Sequence, residues 1–214
     1  GMLRKRPFEM PEVDENLVRI GGDLTVASLL RAYGSGSFPW TVDPVTWWSP
    51  DPRTIIDLPA FRPPRSLQKF LRKNPFTYTI DRAFDDVIDR CAEPAPNRRS
   101  TWITPEFRAA YRDLNQAGHA HSLEVWQEDR LVGGIYGVQI GGYFAGESMF
   151  HRVDNASKAA LAKLVEHLHA RGFALFDVQM PTRITLQMGA TLIPRREFLF
   201  RLRTALNLSP SFGA

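Results

Sequence analysis

Phe176-Asp177-Val178-Gln179 is the segment of the sequence best equipped for proton handling. On a strand, residues two apart project from one face, so Asp177 and Gln179 stand side by side while Phe176 and Val178 turn away. A carboxylate beside a side-chain amide polarises it and leaves the amide oxygen a better proton acceptor. A strand end emerging into water carries the same polar pair, so spacing alone leaves both readings open. Glu147, in Gly146-Glu147-Ser148-Met149-Phe150, places a second carboxylate at the end of an apolar run. A glutamate there either reaches solvent or has a partner.

A different chemistry is suggested by Arg62, Arg65, Lys69, Arg72 and Lys73, which fall in one acid-free stretch. On a helix Arg65, Lys69 and Lys73 share a face, and a polyanion such as RNA would relieve their repulsion; a solvated face is the plainer reading. Trp40, Trp47, Trp48 and Trp102 lie in Pro-rich or Gly/Ser-rich contexts. Such tryptophans either stack a nucleobase or plug a domain interface, the latter suiting Trp47 and Trp48. Cys91 falls on an apolar helix face and reads as core. His119 and His121 have no third ligand nearby, so no metal is expected. No Gly-rich phosphate loop follows a strand and no Ser-His-Asp arrangement stands out.

The elements that must hold these residues are partly visible. Prolines are dense between Pro39 and Pro64, leaving only Thr25 to Tyr33 as a helix in the first third. A composition change at residue 62 divides a small N-terminal domain, 1–61, from a larger one, 62–214. There Asp81 is placed to cap a helix carrying Phe84, Val87, Ile88 and Cys91, and Thr104-Pro105 to open another. Ser122 to Gln127, Leu131 to Ile140 and Tyr143 to Met149 alternate with period two, which predicts an antiparallel meander. Asn155 opens a long helix, Phe173 to Val178 suits a central strand, and Arg196 to Leu206 a last helix. The order predicts an α+β fold.

Composition sets the outer bounds. The 214 residues are 43% hydrophobic and 23% charged, as in an ordinary globular protein, and carry a formal charge of +4. One cysteine excludes an internal disulfide and fits a reducing, cytoplasmic setting. No apolar run approaches the length of a membrane span, and the basic N-terminus lacks the apolar core of a signal peptide.

Taken together, a dozen ordered motifs resemble the leucyl/phenylalanyl-tRNA–protein transferases. Among them are Gly21-Gly22-Asp23-Leu24, Phe38-Pro39-Trp40, Trp47-Trp48-Ser49-Pro50-Asp51-Pro52-Arg53, Thr101-Trp102-Ile103-Thr104, Gly146-Glu147-Ser148-Met149-Phe150 and Asp177-Val178-Gln179. The resemblance implies a small N-terminal domain joined to an acetyltransferase-like (GNAT-like) domain with a mixed, largely antiparallel sheet flanked by helices. It implies transfer of Leu or Phe, also Met, from aminoacyl-tRNA to the N-terminal Arg or Lys of acceptor proteins, marking them for N-end rule degradation. Asp177 and Gln179 then correspond to the catalytic pair and Glu147 to a carboxylate near the aminoacyl group. Trp40 and Trp102 fall near the terminal adenosine, and Arg65, Lys69, Arg72 and Lys73 on the tRNA acceptor stem. An amino-acid pocket is expected from Ile135, Met149, Leu161, Leu164, Leu168 and Phe176. No cofactor or metal is needed, because the ester is already activated. Ile184 stands where the family usually has histidine, which leaves a non-catalytic aminoacyl-tRNA or N-degron binding homologue as the alternative. An acetyl-CoA enzyme is disfavoured by the glycine-free loop from His151 to Lys158.

Overall fold

The longest alternating segments become the centre of a seven-stranded sheet. In the computed structural model, which describes residues 14–94 and 103–213, strands β1 (Leu17–Ile20), β2 (Phe38–Val42), β3 (Val45–Trp48), β4 (Arg53–Ile56), β5 (Thr77–Ile80), β6 (Ala120–Gln127), β7 (Arg130–Ile140), β8 (Tyr143–His151), β9 (Leu175–Gln179) and β10 (Thr191–Ile193) form two sheets. The order is β10-β4-β9-β8-β7-β6-β5 in the large sheet and β1-β3-β2 in the small one. The β6–β7–β8 meander is antiparallel as expected, and β8 runs parallel to its neighbour β9. The fold is α+β, with a mixed, largely antiparallel sheet flanked by helices.

Helices α1 (Val26–Gly34), α2 (Arg65–Lys73), α3 (Phe84–Ala92), α4 (Pro105–Gln116), α5 (Ala156–Ala170), α6 (Arg183–Gln187) and α7 (Arg195–Leu206) cover both faces. Thr25 and Thr104 cap α1 and α4 with their hydroxyls. The cap expected from Asp81 is not made. Asp81 sits at φ 52° and spends its carboxylate on the Ser122 N–H and on His121, while Ala83 precedes α3. One face of the sheet packs against α5 and α2 around Ile135, Phe144, Met149 and Phe176. The other carries α1, α3, α4 and α7 around Tyr33, Phe107, Tyr111, Tyr143 and Phe198.

The expected division at residues 61/62 is not where the sheets part. Strand β4 lies between β10 and β9 in the large sheet, so the change of sheet falls between Trp48 and Arg53. The prolines around β4 hide it in the sequence. Its four residues, Arg53-Thr54-Ile55-Ile56, are nonetheless all buried, because they are paired on both sides. Trp47 is buried and donates its indole N–H to the Gly21 carbonyl at 2.7 Å, and it joins the same core as α3 and α4.

Candidate active site

Strand β9 carries at its middle the Asp177 carboxylate, which is wholly buried and fully used. Arg53 donates Nε to Oδ1 at 3.0 Å and Nη2 to Oδ2 at 2.8 Å. The Tyr143 hydroxyl donates to Oδ2 at 2.6 Å and the Gln179 backbone N–H to Oδ1 at 2.8 Å. Four donors thus fill the lone pairs, the condition under which a buried ion pair is tolerated. Burial draws the Arg53 guanidinium down, but the adjacent Asp177 carboxylate outweighs it and holds Arg53 above its ordinary value. Burial, then the same carboxylate, pushes the Tyr143 phenol well above its ordinary range, so it remains a donor. Arg53 also donates Nη1 to the Gly36 carbonyl at 2.8 Å and lies 4.2 Å over the Phe198 ring. The group ties β4, β8, β9, α7 and the turn after α1 to one point.

Asp177 and Gln179 are together, as the sequence predicts, but joined differently. The carboxylate holds the main-chain N–H of Gln179 rather than its side-chain amide. The cause is local. Val178 is an extra residue in β9, since Thr54 pairs with Gln179 and Ile55 with Asp177. Gln179 then adopts φ 69° and the Met180 N–H returns to the Val178 carbonyl at 2.8 Å. A non-glycine residue pays strain for this conformation, and such strain gathers where a side chain must be aimed.

The amide of Gln179 is aimed at Glu147. Its Nε2 donates to Glu147 Oε2 at 3.5 Å, while Tyr111 donates its hydroxyl to Oε1 at 3.3 Å and shares a 2.6 Å hydrogen bond with the Tyr33 hydroxyl. Glu147 is itself the extra residue of a bulge in β8, where Tyr136 pairs with Ser148 and Gly137 with Gly146. Gly137 is needed there, because a Cβ would lie 2.2 Å from the Ala145 carbonyl oxygen. The register of β8 with β9 stops at Ala145–Asp177, just before both bulges. Past that point the strands are linked by the Gln179–Glu147 contact. Only the amide nitrogen can donate to a carboxylate, so Glu147 fixes which way the amide faces. Among the described residues Gln179 Oε1 is left buried with no hydrogen-bond partner, an acceptor awaiting a donor.

The remaining expected residues are distributed as follows. Ile135, Met149, Leu161, Leu164, Leu168 and Phe176 are buried together in the α5-side core, across the sheet from Glu147 and Tyr111. Trp40 is 2% exposed and packs edge-on to Trp48, so its indole is part of the core rather than an open stacking platform. Trp102 lies outside the described residues. Arg65, Lys69, Arg72 and Lys73 are exposed on α2 and make no ion pair among the described residues. Ile184 is half-buried on α6 against the α5-side core. Arg53, Tyr143, Tyr111 and Tyr33 were not anticipated. The signal for Arg53 was a lone cation opening the apolar run Thr54-Ile55-Ile56, which burial would force into partnership with an acid.

A buried acceptor beside two engaged carboxylates, at a split between parallel strands, suits direct acyl transfer to an amine, and the class is that of an acyltransferase. Residues 55–203 match the family described as leucyl/phenylalanyl-tRNA protein transferase, and residues 22–51 match its N-terminal domain. The leucyl/phenylalanyl-tRNA–protein transferase of Shewanella sp. (strain W3-18-1) is 50% identical over 198 residues, covering 90% of this chain and 84% of that one. That of Pseudomonas syringae pv. syringae (strain B728a) is 50% identical over 204 residues, covering 92% and 89%. The chain belongs to the leucyl/phenylalanyl-tRNA–protein transferase family, and it is an enzyme that moves an aminoacyl group from tRNA to protein. Similar solved structures include L-PGS from Bacillus licheniformis, with TM-score 0.46, 12% identity, and coverage of 82% of this chain and 60% of that one. Another is a GCN5-related N-acetyltransferase-like protein from Streptococcus suis, with TM-score 0.39, 14% identity, and coverage of 78% and 63%. No helix among the described residues is long and apolar enough to cross a membrane.

Proposed function

We propose that this chain transfers Leu or Phe, and less readily Met, from aminoacyl-tRNA to the N-terminal Arg or Lys of acceptor proteins in the cytoplasm, tagging them for N-end rule degradation. The observation that carries the reading is Gln179 Oε1: buried, without a partner among the described residues, and oriented by Glu147 at the split between β8 and β9. The acceptor's neutral α-amine donates an N–H to this oxygen, which aims its lone pair at the ester carbonyl. The C–N bond forms, the bond from carbonyl carbon to the terminal ribose oxygen breaks, and the amine proton passes to that oxygen. Peptide and deacylated tRNA are the products. The gain comes from orientation and from groups already in place, since the ester is activated before it arrives. Asp177 acts through Gln179 by holding its main-chain N–H.

Ile135, Met149, Leu161, Leu164, Leu168 and Phe176, an apolar cluster buried on the α5 side of the sheet, are the residues assigned to the donor side chain. An apolar pocket discriminates by only ~1–3 kcal/mol per methylene, so leakage to Met is expected. The exposed cations Arg65, Lys69, Arg72 and Lys73 on α2 suit the phosphates of the acceptor stem.

The deciding assay uses radiolabelled Leu-tRNA or Phe-tRNA with peptides that differ only in their first residue. Label should enter Arg- and Lys-initiated peptides. Label that ignores the first residue would overturn the acceptor assignment, and label that never leaves the tRNA would overturn the transfer.

A further inference from the structure

Helix α7 has an outer face that the acyl-transfer chemistry does not use. It holds four arginines against one glutamate. Glu197 is paired with Arg201 at 2.7 Å. Arg196, Phe200 and Arg203 recur at i, i+4 and i+7 and so form one stripe. Phe200 is 68% exposed, the most exposed large apolar side chain among the described residues. Arg196 and Arg203 are exposed too, and neither guanidinium makes a hydrogen bond or ion pair among the described residues. With Arg195, Leu199 and Asp51 these residues line an open groove of about 400 Å³. Asp51 is the one acid there, and its Oδ1 accepts the Arg195 N–H at 3.0 Å. Arg195 donates Nη1 to the Ser49 carbonyl at 2.7 Å and is held in the groove wall.

The groove also belongs to the site's end of the sheet. Ile193, two residues before α7, pairs with Arg53, whose guanidinium lies over Phe198 on the helix's inner face. One helix diameter, ~10 Å, separates that inner face from the stripe. We propose that the Arg196–Phe200–Arg203 face of α7 is a second RNA contact for the aminoacyl-tRNA, the arginines meeting phosphates and Phe200 stacking on a base. Charge complementarity decides the occupant. Three arginines to one engaged aspartate attract a polyanion and repel an acceptor that begins with Arg or Lys. An exposed aromatic between cations is how single-stranded nucleic acid is held without reading its sequence. The inference rests on the proposed tRNA substrate and adds a surface to it, apart from α2.

The test is tRNA binding by fluorescence anisotropy across a salt series, with unfolding curves as a control. Each lost phosphate contact lowers the log–log salt slope by about 0.7–0.9. Arg196→Gln with Arg203→Gln should therefore lower it by roughly 1.4–1.8, and Phe200→Ala should weaken binding about tenfold with the slope kept. Wild-type affinity and slope in both variants would overturn the proposal. So would intact tRNA binding with a raised KM for the acceptor peptide, which would give this face to the protein substrate. Wild-type protein that binds no tRNA at all would instead sink the substrate reading, and this inference with it.

Discussion

Of the three carboxylates buried in the large sheet, Asp177, Glu147 and Glu124, the first and the last are kept in different ways. Asp177 in β9 faces a bidentate arginine, a tyrosine and a backbone N–H. Glu124 in β6 is also fully buried, but its donors are neutral: Ser122 Oγ at 2.5 Å, Thr79 Oγ1 at 2.7 Å and the Arg82 N–H at 2.9 Å. Burial consequently lifts Glu124 above the ordinary glutamate value despite those three bonds. Neutral donors suffice to tie edge strand β5 and the turn at Asp81 to β6. A residue that must hold Gln179 at a left-handed φ has a full counter-charge. The sheet's charge compensation is concentrated where geometry has to be maintained during a reaction.

The largest effect should come from breaking the charged pair on one side. Arg53→Met leaves Asp177 buried without its cation and should destabilise the fold by about 3–5 kcal/mol in urea unfolding. Adding Asp177→Asn removes the second charge, keeps Oδ1 as acceptor for the Gln179 N–H and lets the Tyr143 hydroxyl turn to accept from the new amide, and should restore at least half of that loss. A cost below about 1 kcal/mol for Arg53→Met would erase the distinction from Glu124. Gln179→Gly separates strain from function at the same point. Glycine accepts φ 69° freely, so the ~1 kcal/mol of strain it releases should offset part of the stability lost with the Glu147 donor. Transfer should fall by ~10²–10⁴-fold with the lost acceptor. Transfer that survives would remove Gln179 from the chemistry.

The contrast was only half visible in the sequence. The β6–β8 meander, α5 and the helix at Thr25 were legible because their periodicity is sustained and bounded by turns or caps. Asp177, Gln179 and Glu147 were legible as polar residues on apolar strands. Their geometry was not. Arg53 meets Asp177 across 124 residues of chain, and nothing local marks a short, proline-flanked strand as central. The extra residues at Val178 and Glu147 break the two-residue alternation, so a pattern of faces cannot show where either side chain points. Trp40 shows the reverse difficulty: its loop-like context suggested exposure, and pairing in the small sheet buries it.

Tyr143→Phe sharpens the comparison more gently. It removes one donor from Asp177 Oδ2 and leaves Arg53 in place. Hydrogen bonds to charged groups are worth ~1.5–3 kcal/mol, so a loss in that range is expected in unfolding curves. Transfer should drop less than with Gln179→Gly, because the Gln179 N–H is still held by Oδ1.

The smallest effect belongs to Glu124, and it is a slope rather than a loss. Its folded-state value is raised above about 4.5, so the folded protein binds the proton more tightly than the unfolded chain. Its contribution to stability is therefore complete below pH ~4.5 and is lost as pH rises through the raised folded value. Glu124→Gln keeps a carbonyl for Thr79 and the Arg82 N–H, and the Ser122 hydroxyl can turn to accept from the amide. The variant stays neutral at every pH, so its stability relative to the wild type should climb between pH 4 and neutrality, while transfer at neutral pH is unchanged. A stability difference that is flat with pH would mean that neutral donors hold this carboxylate as well as Arg53 holds Asp177, and the two buried acids would then be alike after all.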